Sequence, residues 1–489
     1  MNQTQNKNFA HVAIRGTVWR YVTYFSAKLM VFISTVILAR LLSKDDFGVV
    51  GFAITAMVFI DVLGGGIGPA IIYYPEDKRR SNTAFWLGLA IGVFLFGFTW
   101  FMAPFIAGFF RDSRALLVVR VLGLTFPLNA LGDAHAAILQ KKLAFNRIFI
   151  PDFMLAMSKG LVSIVLAFYG FGAWSLIWGQ VAGSLISSIS YWIVNLWRPS
   201  FDFDLQFAKA TLDYGLKYVS GNIVSMINFN LDYLLVGRYL GAEALGVYTL
   251  AFRLPDLLIL QFADNLSSVL FPIYSRMRDL PGNLARGFAL TTRYVSLVTV
   301  PLGLGLALIV RPLILVIFTE KWMDAIPVVQ VLAVYAVLRS LAYNAGSAYK
   351  AEGRPHVVTW LELIRLCFLF PALWWAVTGI RTITAVGWMH MWVALGACIL
   401  NLFAAARLLK LPLQELGTAL WPAASAGFVM VVSVITVLHY SSDSSDTFQL
   451  ILSILVGAVT YIASLWVIQR DVVLDASNLV RGALMKGLS

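Results

Sequence analysis

The stretch Arg40-Leu41-Leu42-Ser43-Lys44-Asp45-Asp46-Phe47-Gly48-Val49 recurs as Arg238-Tyr239-Leu240-Gly241-Ala242-Glu243-Ala244-Leu245-Gly246-Val247, 198 positions further along the chain. Arg, Leu, Gly and Val fall at matched places, and Ala53 and Ala251 keep the same register. A fainter echo, at an offset of 210, pairs Val121 and Leu122 with Val331 and Leu332, and Leu128 and Leu131 with Leu338 and Leu341. The larger offset implies a small insertion in the second copy. Chance likeness between apolar helices is the competing explanation. The first match, however, lies in a polar turn, where apolar bias cannot produce it. The chain therefore reads as a duplicated unit.

Outward from each turn the sequence is apolar. Hydrophobic residues make up 60% of the 489 and charged residues 13%, whereas a soluble domain has about 45–50% and about 25%. So little charge could not coat a water-facing surface, which excludes a soluble enzyme, a disordered protein and a secreted disulfide scaffold. A spanning helix needs about 20 apolar residues, and each helix satisfies its own backbone groups in lipid. Fourteen stretches qualify. In the first half they are Arg20–Leu41, Phe47–Tyr73, Thr83–Phe110, Ala115–Leu139, Ile150–Tyr169 and Ala173–Trp197. The next six are Tyr214–Leu240, Leu245–Tyr274, Phe288–Phe318, Ile326–Tyr349, Val357–Ile380 and Thr384–Leu409, followed by Leu420–Tyr440 and Phe448–Ile468. An amphipathic segment, Asn8–Arg20, precedes them without a signal-peptide cleavage pattern and is expected to stay in the mature chain. Copies of six spans share one orientation, so their symmetry axis should run along the membrane normal. The expectation is an all-α integral membrane protein of 14 transmembrane helices. It has an N-lobe (1–205), a C-lobe (206–411) and an appendix of two helices with a tail (412–489).

The net charge of +12 would suggest nucleic acid in a soluble protein. Its placement says otherwise. Of the 37 cations, 21 fall on the side of the two termini and 7 on the other. The positive-inside rule then puts both termini in the cytoplasm. The remaining nine lie in or beside spans: Arg20, Lys28, Arg120, Lys159, Arg253, Arg293, Arg311, Arg339 and Arg365. Loops are short throughout, which counts against a membrane polymerase or glycosyltransferase with a large external catalytic loop. Two lobes without a soluble engine suggest alternating access.

A charge inside the bilayer is costly and marks a wet cavity or a partner. Arg20 and Lys28, eight residues apart, point to one side of their helix, about 80° apart. Arg253, Arg293 and Arg339 are the other candidates for an anionic ligand. Arg253 with Asp256, and Glu362 with Arg365, are equally readable as internal i,i+3 ion pairs. Arg120 and Arg311 lie near helix ends and can snorkel. Asp61 pairs with Lys28 or binds a coupling ion; Asp232 and Asp256 are the further coupling candidates. A lone His135 is more often structural than a proton relay. The surplus that remains is cationic, and guanidinium groups suit phosphate because their fork matches two oxygens. The run Gly64, Gly65, Gly66, Gly68 and Pro69 interrupts the second span and reads as a hinge, or as small residues for close packing. Pro301, Gly303 and Gly305 form a second candidate. No GKS or GKT follows the glycines, so no nucleotide site is expected. Cys367 and Cys398 sit in apolar runs and read as packing.

Five segments carry a family resemblance: Ala39–Gly48, Asp61–Ile72, Asn230–Gly241, Leu245–Tyr248 and Leu270–Arg276. Through them the chain resembles the Wzx-type polysaccharide flippases of the MOP (multidrug/oligosaccharidyl-lipid/polysaccharide) exporter superfamily, in the manner of the colanic-acid and teichuronic-acid exporters. The likeness covers roughly Trp19–Leu411. It implies a bacterial inner-membrane carrier that moves an undecaprenyl-diphosphate-linked oligosaccharide outward through a cationic cavity lined mainly by spans 1, 2, 7 and 8. Related lipid II flippases use arginines on spans 1 and 8, and Arg20 and Arg253 occupy comparable helices. The chain departs from that pattern in carrying Asp61, not an arginine, on span 2. The implied partners are the polyprenyl-diphosphate substrate, membrane lipids, and a polysaccharide polymerase with its export machinery. No nucleic acid, no cofactor and no catalysis are expected, and the chain is expected to be a monomer. The competing reading within the superfamily is a multidrug antiporter, which needs an anionic cavity.

Overall fold

The computed structural model describes residues 26, 28–75, 77–278 and 282–470. Arg20 and the amphipathic segment Asn8–Arg20 lie outside the described residues. Every regular element among the described residues is helical. The chain divides into two compact units, Met1–Gly246 and Val247–Ser489.

The first unit begins with α1 (28–41). It continues with α2 (Lys44–Asp61), α3 (Ile67–Tyr73), α4 (Lys78–Phe110), α5 (Arg114–Leu122), α6 (Thr125–Lys141), α7 (Phe145–Phe168) and α8 (Ala173–Val194). Next comes α9 (Leu205–Pro255). The second unit holds α10 (Gln261–Met277), α11 (Asn283–Leu313), α12 (Ile326–Ala351), α13 (Pro355–Trp375), α14 (Ile383–Leu409), α15 (Leu413–Tyr440) and α16 (Asp446–Ile468). Short π-helical turns follow Pro255, Leu313 and Trp375.

Eleven helical stretches are long and apolar enough to cross a membrane, against the fourteen expected. Three places make the difference. The first expected span is described only from Ser26 onward. The seventh and eighth expected spans run together in one stretch, Ile223–Met277. The sixth is present as α8 but is not among the eleven. Its serines, Ser175, Ser184, Ser187 and Ser188, are buried against other helices and lower its apolarity.

Small residues inside and bulky ones outside are what lipid favours, because tails compete with any apolar core and close packing must supply the attraction. Phe101, Phe168 and Val467 stand outward. A Cβ added at Gly160 would overlap the Ser34 hydroxyl, and one at Gly179 the Ser163 hydroxyl. In the second unit Leu297, Ala423, Met430, Val434 and Tyr461 join α11, α15 and α16. Tyr274, Phe288 and Tyr349 anchor a second cluster there.

The two matched turns behave alike. Ser43 ends α1 with extended backbone (φ −80°, ψ 163°) and caps α2, accepting from the Asp46 amide at 3.1 Å while Asp46 accepts from the Ser43 amide at 3.0 Å. This reciprocal box satisfies two orphan donors. Gly241, 198 residues later, breaks α9 at φ 89°, ψ −175°, where only glycine is unstrained. The turns also touch reciprocally. A Cβ on Gly48 would overlap the Ala242 carbonyl, and one on Gly246 the Lys44 carbonyl. Gly48 and Gly246 are repeat equivalents, as are Lys44 and Ala242. Lys44 Nζ also lies 3.6 Å from Glu243 Oε1.

Candidate functional site

The second span breaks where its glycines predicted. After Asp61 the α-helix tightens into a 3-10 turn, Val62–Gly64, passes through Gly65 and Gly66, and resumes as α3. None of these glycines has positive φ. Gly66 is needed for a close approach, since a Cβ there would overlap the Gly215 backbone. Gly68 faces open space, with nothing within 4 Å of an added Cβ. Lys141 at the end of α6 donates to the carbonyls of Ile71, at 2.8 Å, and Tyr74. Those are orphan acceptors at the end of α3.

Behind this break lies a chamber of about 800 Å³ in the first unit. Asp61, Gly64, Gly65, Ile67, Gly68 and Pro69 form one wall, and α6 forms another with Asn129, Asp133 and Gln140. Residues 129, 133 and 140 share a face because four and seven residues are near whole turns. Tyr73 and Tyr214 stack at 5.2 Å, and both line the chamber. Among the described residues, the lining holds two carboxylates and no Lys or Arg. The side chains of Asp61, Asn129, Asp133 and Gln140 make no hydrogen bond or ion pair with another described residue. Sequence reading had Asp61 as a candidate but missed Asn129 and Gln140. Their spacing along an apolar helix was the available signal.

The expected cations among the described residues, Lys28, Arg253, Arg293 and Arg339, do not line the chamber. Lys28 is half-buried in α1. Arg253 is half-buried near the end of α9 and has no ion pair or hydrogen bond among the described residues. It does not pair with Asp256, whose carboxylate accepts from Gln261 at 2.6 Å. Asp232 is 1% exposed. Arg293 donates to the Gln469 side chain. Arg339 is bound into a buried network. Its Nη2 meets Glu362 Oε1 at 2.7 Å, and its guanidinium covers the Tyr343 ring at 4.9 Å. Arg365 meets the other oxygen of Glu362 at 3.5 Å and donates to the Tyr335 hydroxyl at 3.3 Å. The i,i+3 pair read from sequence is therefore shared with an arginine from α12, and two guanidinium groups divide one carboxylate. Arg120 lies over the Trp100 ring at 4.4 Å, while Arg311 is exposed. Among the described residues no group of three or more His, Cys, Asp or Glu could hold a metal ion.

Comparison with known proteins places this geometry. The profile of the family described as "Polysaccharide biosynthesis protein" matches residues 37–327. The chain is 28% identical over 457 residues to the teichuronic acid biosynthesis protein TuaB of Bacillus subtilis (strain 168), covering 91% of this chain and 94% of that one. It is 26% identical over 359 residues to the succinoglycan biosynthesis transport protein ExoT of Rhizobium meliloti (strain 1021), covering 73% and 72%. Among solved structures, the lipid II flippase MurJ in an inward closed conformation superposes with a TM-score of 0.76 at 17% identity, covering 94% of this chain and 100% of that one. The last likeness is one of fold.

Proposed function

The chain belongs to the polysaccharide biosynthesis protein family, and from that premise we propose that it is a flippase for a lipid-linked oligosaccharide. The cargo is an undecaprenyl-diphosphate-linked repeat unit, carried across the bacterial cytoplasmic membrane for cell-surface polysaccharide. The observation that carries this reading is Arg253: a half-buried guanidinium within a membrane helix, with no counter-ion among the described residues. A charge so placed calls for an anionic ligand. Arg20, Lys28 and Arg253 are assigned to the diphosphate. Fourteen spans form two six-helix lobes and two extra helices, and the lobes alternate access by rocking. Both termini are cytoplasmic. An inside-negative potential drives a net anion outward by about 2.3 kcal/mol per charge per 100 mV. Tight binding alone moves nothing, so the two states must hold the cargo differently.

The carboxylates of the chamber favour a second reading, a carrier of cationic cargo. Asp61 of the chamber, with Asp232 and Asp256 outside it, would then couple ions or bind the cationic cargo. Replacing Arg253 by Ala separates the two. The flippase reading expects polymer export to fall at least tenfold at normal membrane levels. Full export by both Arg20→Ala and Arg253→Ala removes the diphosphate assignment.

A further inference from the structure

The diphosphate assignment leaves the chamber of the first unit without a role. We propose that this chamber is a saccharide subsite, holding the glycan of the cargo while the diphosphate stays outside it. The proposal rests on the reading of the chain as a carrier of lipid-linked oligosaccharide.

Four properties point to a neutral, hydroxyl-rich ligand. The volume of about 800 Å³ is that of a site for an extended small molecule, whereas a bare cation draws its ligands to within about 2.6 Å. The polar groups are mixed: Asp61 and Asp133 accept, while Asn129 and Gln140 both donate and accept. A sugar hydroxyl does both, so each has a complement. None of the four spends its capacity on another described residue, so the capacity is available to a guest. Finally, Tyr73 and Tyr214 present aromatic surface at the chamber wall, suited to the C–H face of a pyranose.

Two further features set orientation. Asn129 and Gln140 are eleven residues apart on α6, about 16 Å along its axis, which lets several sugar rings meet the stripe in line. The described lining offers no Lys or Arg to a diphosphate. The charged head is thereby kept out of the chamber while the neutral glycan enters.

The test uses full-length protein in liposomes and two cargoes: the lipid-linked repeat unit extracted from the producing cells, and the same lipid trimmed to its first sugar. The double variant Asn129→Ala, Gln140→Ala is expected to move the full repeat unit at least tenfold more slowly and the trimmed lipid within twofold of the unaltered protein. Transport of the trimmed lipid also shows that the variant folds. Unchanged rates for both cargoes overturn the subsite and leave the flippase reading standing. An equal fall for both overturns it in favour of a step common to every cargo, such as ion coupling. Transport of neither cargo by the unaltered protein removes the flippase reading itself. A second measurement needs no transport. In a Cys367→Ser background, Gln140→Cys is labelled with a maleimide. Glycan released from the lipid should slow labelling at least fivefold and pyrophosphate should not; no protection by the glycan overturns the proposal.

Discussion

A chamber in the first unit and a buried cluster in the second handle charged groups in lipid in opposite ways. In the first, Asp61 and Asp133 face a chamber of about 800 Å³ and pair with no described residue. In the second, Arg339 and Arg365 are 4% and 3% exposed and share the carboxylate of Glu362. A charge away from bulk water persists either by facing an open space or by gaining a partner. The first solution leaves the group available to a ligand. The second consumes it in packing, and ties α12 to α13. A list of intramembrane charges therefore does not identify a binding site until each charge has been assigned to one solution or the other.

The largest expected effect tests that division. Glu362→Gln strands two buried guanidinium groups and should cost about 3–5 kcal/mol, read as unfolding in detergent. Asp133→Asn removes a carboxylate with no described partner and should change stability by less than about 0.5 kcal/mol. Equal losses would erase the contrast between the units. A smaller effect sharpens it within the first unit. Gly48→Ala or Gly246→Ala forces a Cβ onto a backbone carbonyl of the matched turn and should cost about 1–3 kcal/mol. Gly68→Ala, in open space, should instead stabilise α3 by up to about 1 kcal/mol.

Removing the cap of α2 comes next. Ser43→Ala should cost about 1 kcal/mol, while a substitution at the matched Gly241 acts through backbone strain, so the two copies should respond to different chemistry. The smallest effect is pH-dependent. The hydrogen bond from Arg114 holds the Asp112 carboxyl below its usual range, against a smaller opposing effect of burial. A carboxyl lowered in the fold contributes stability above its unfolded pKa and loses it as pH falls through the folded value. With Arg114 half-exposed, the contribution is about 1 kcal/mol or less and should weaken with salt. Asp112→Asn should flatten the acid side of the stability profile.

The membrane character was legible because lipid constrains composition over whole segments. The matched turns were legible because Arg40 and Arg238, with Gly48 and Gly246, stand out from apolar surroundings. The break after Asp61 was legible from its glycines, although of Gly64, Gly66 and Gly68 only Gly66 would carry an added Cβ into backbone. What the sequence hid was non-local. Arg339 read as an available cation, yet its partner Glu362 lies 23 residues away on the next helix. Glu362 was visible as the i,i+3 neighbour of Arg365 but not as a shared anion. Asn129 and Gln140 look like ordinary helix polars until the position of α3 opens a chamber before them.

The central claim is that this protein flips a lipid-linked oligosaccharide. The direct measurement is the rate at which full-length protein in liposomes exposes a fluorescent undecaprenyl-diphosphate-linked repeat unit on the opposite leaflet under an inside-negative potential. A flippase gives a protein-dependent rate that falls at least tenfold in Arg253→Ala. A rate equal to that of protein-free liposomes would contradict that reading.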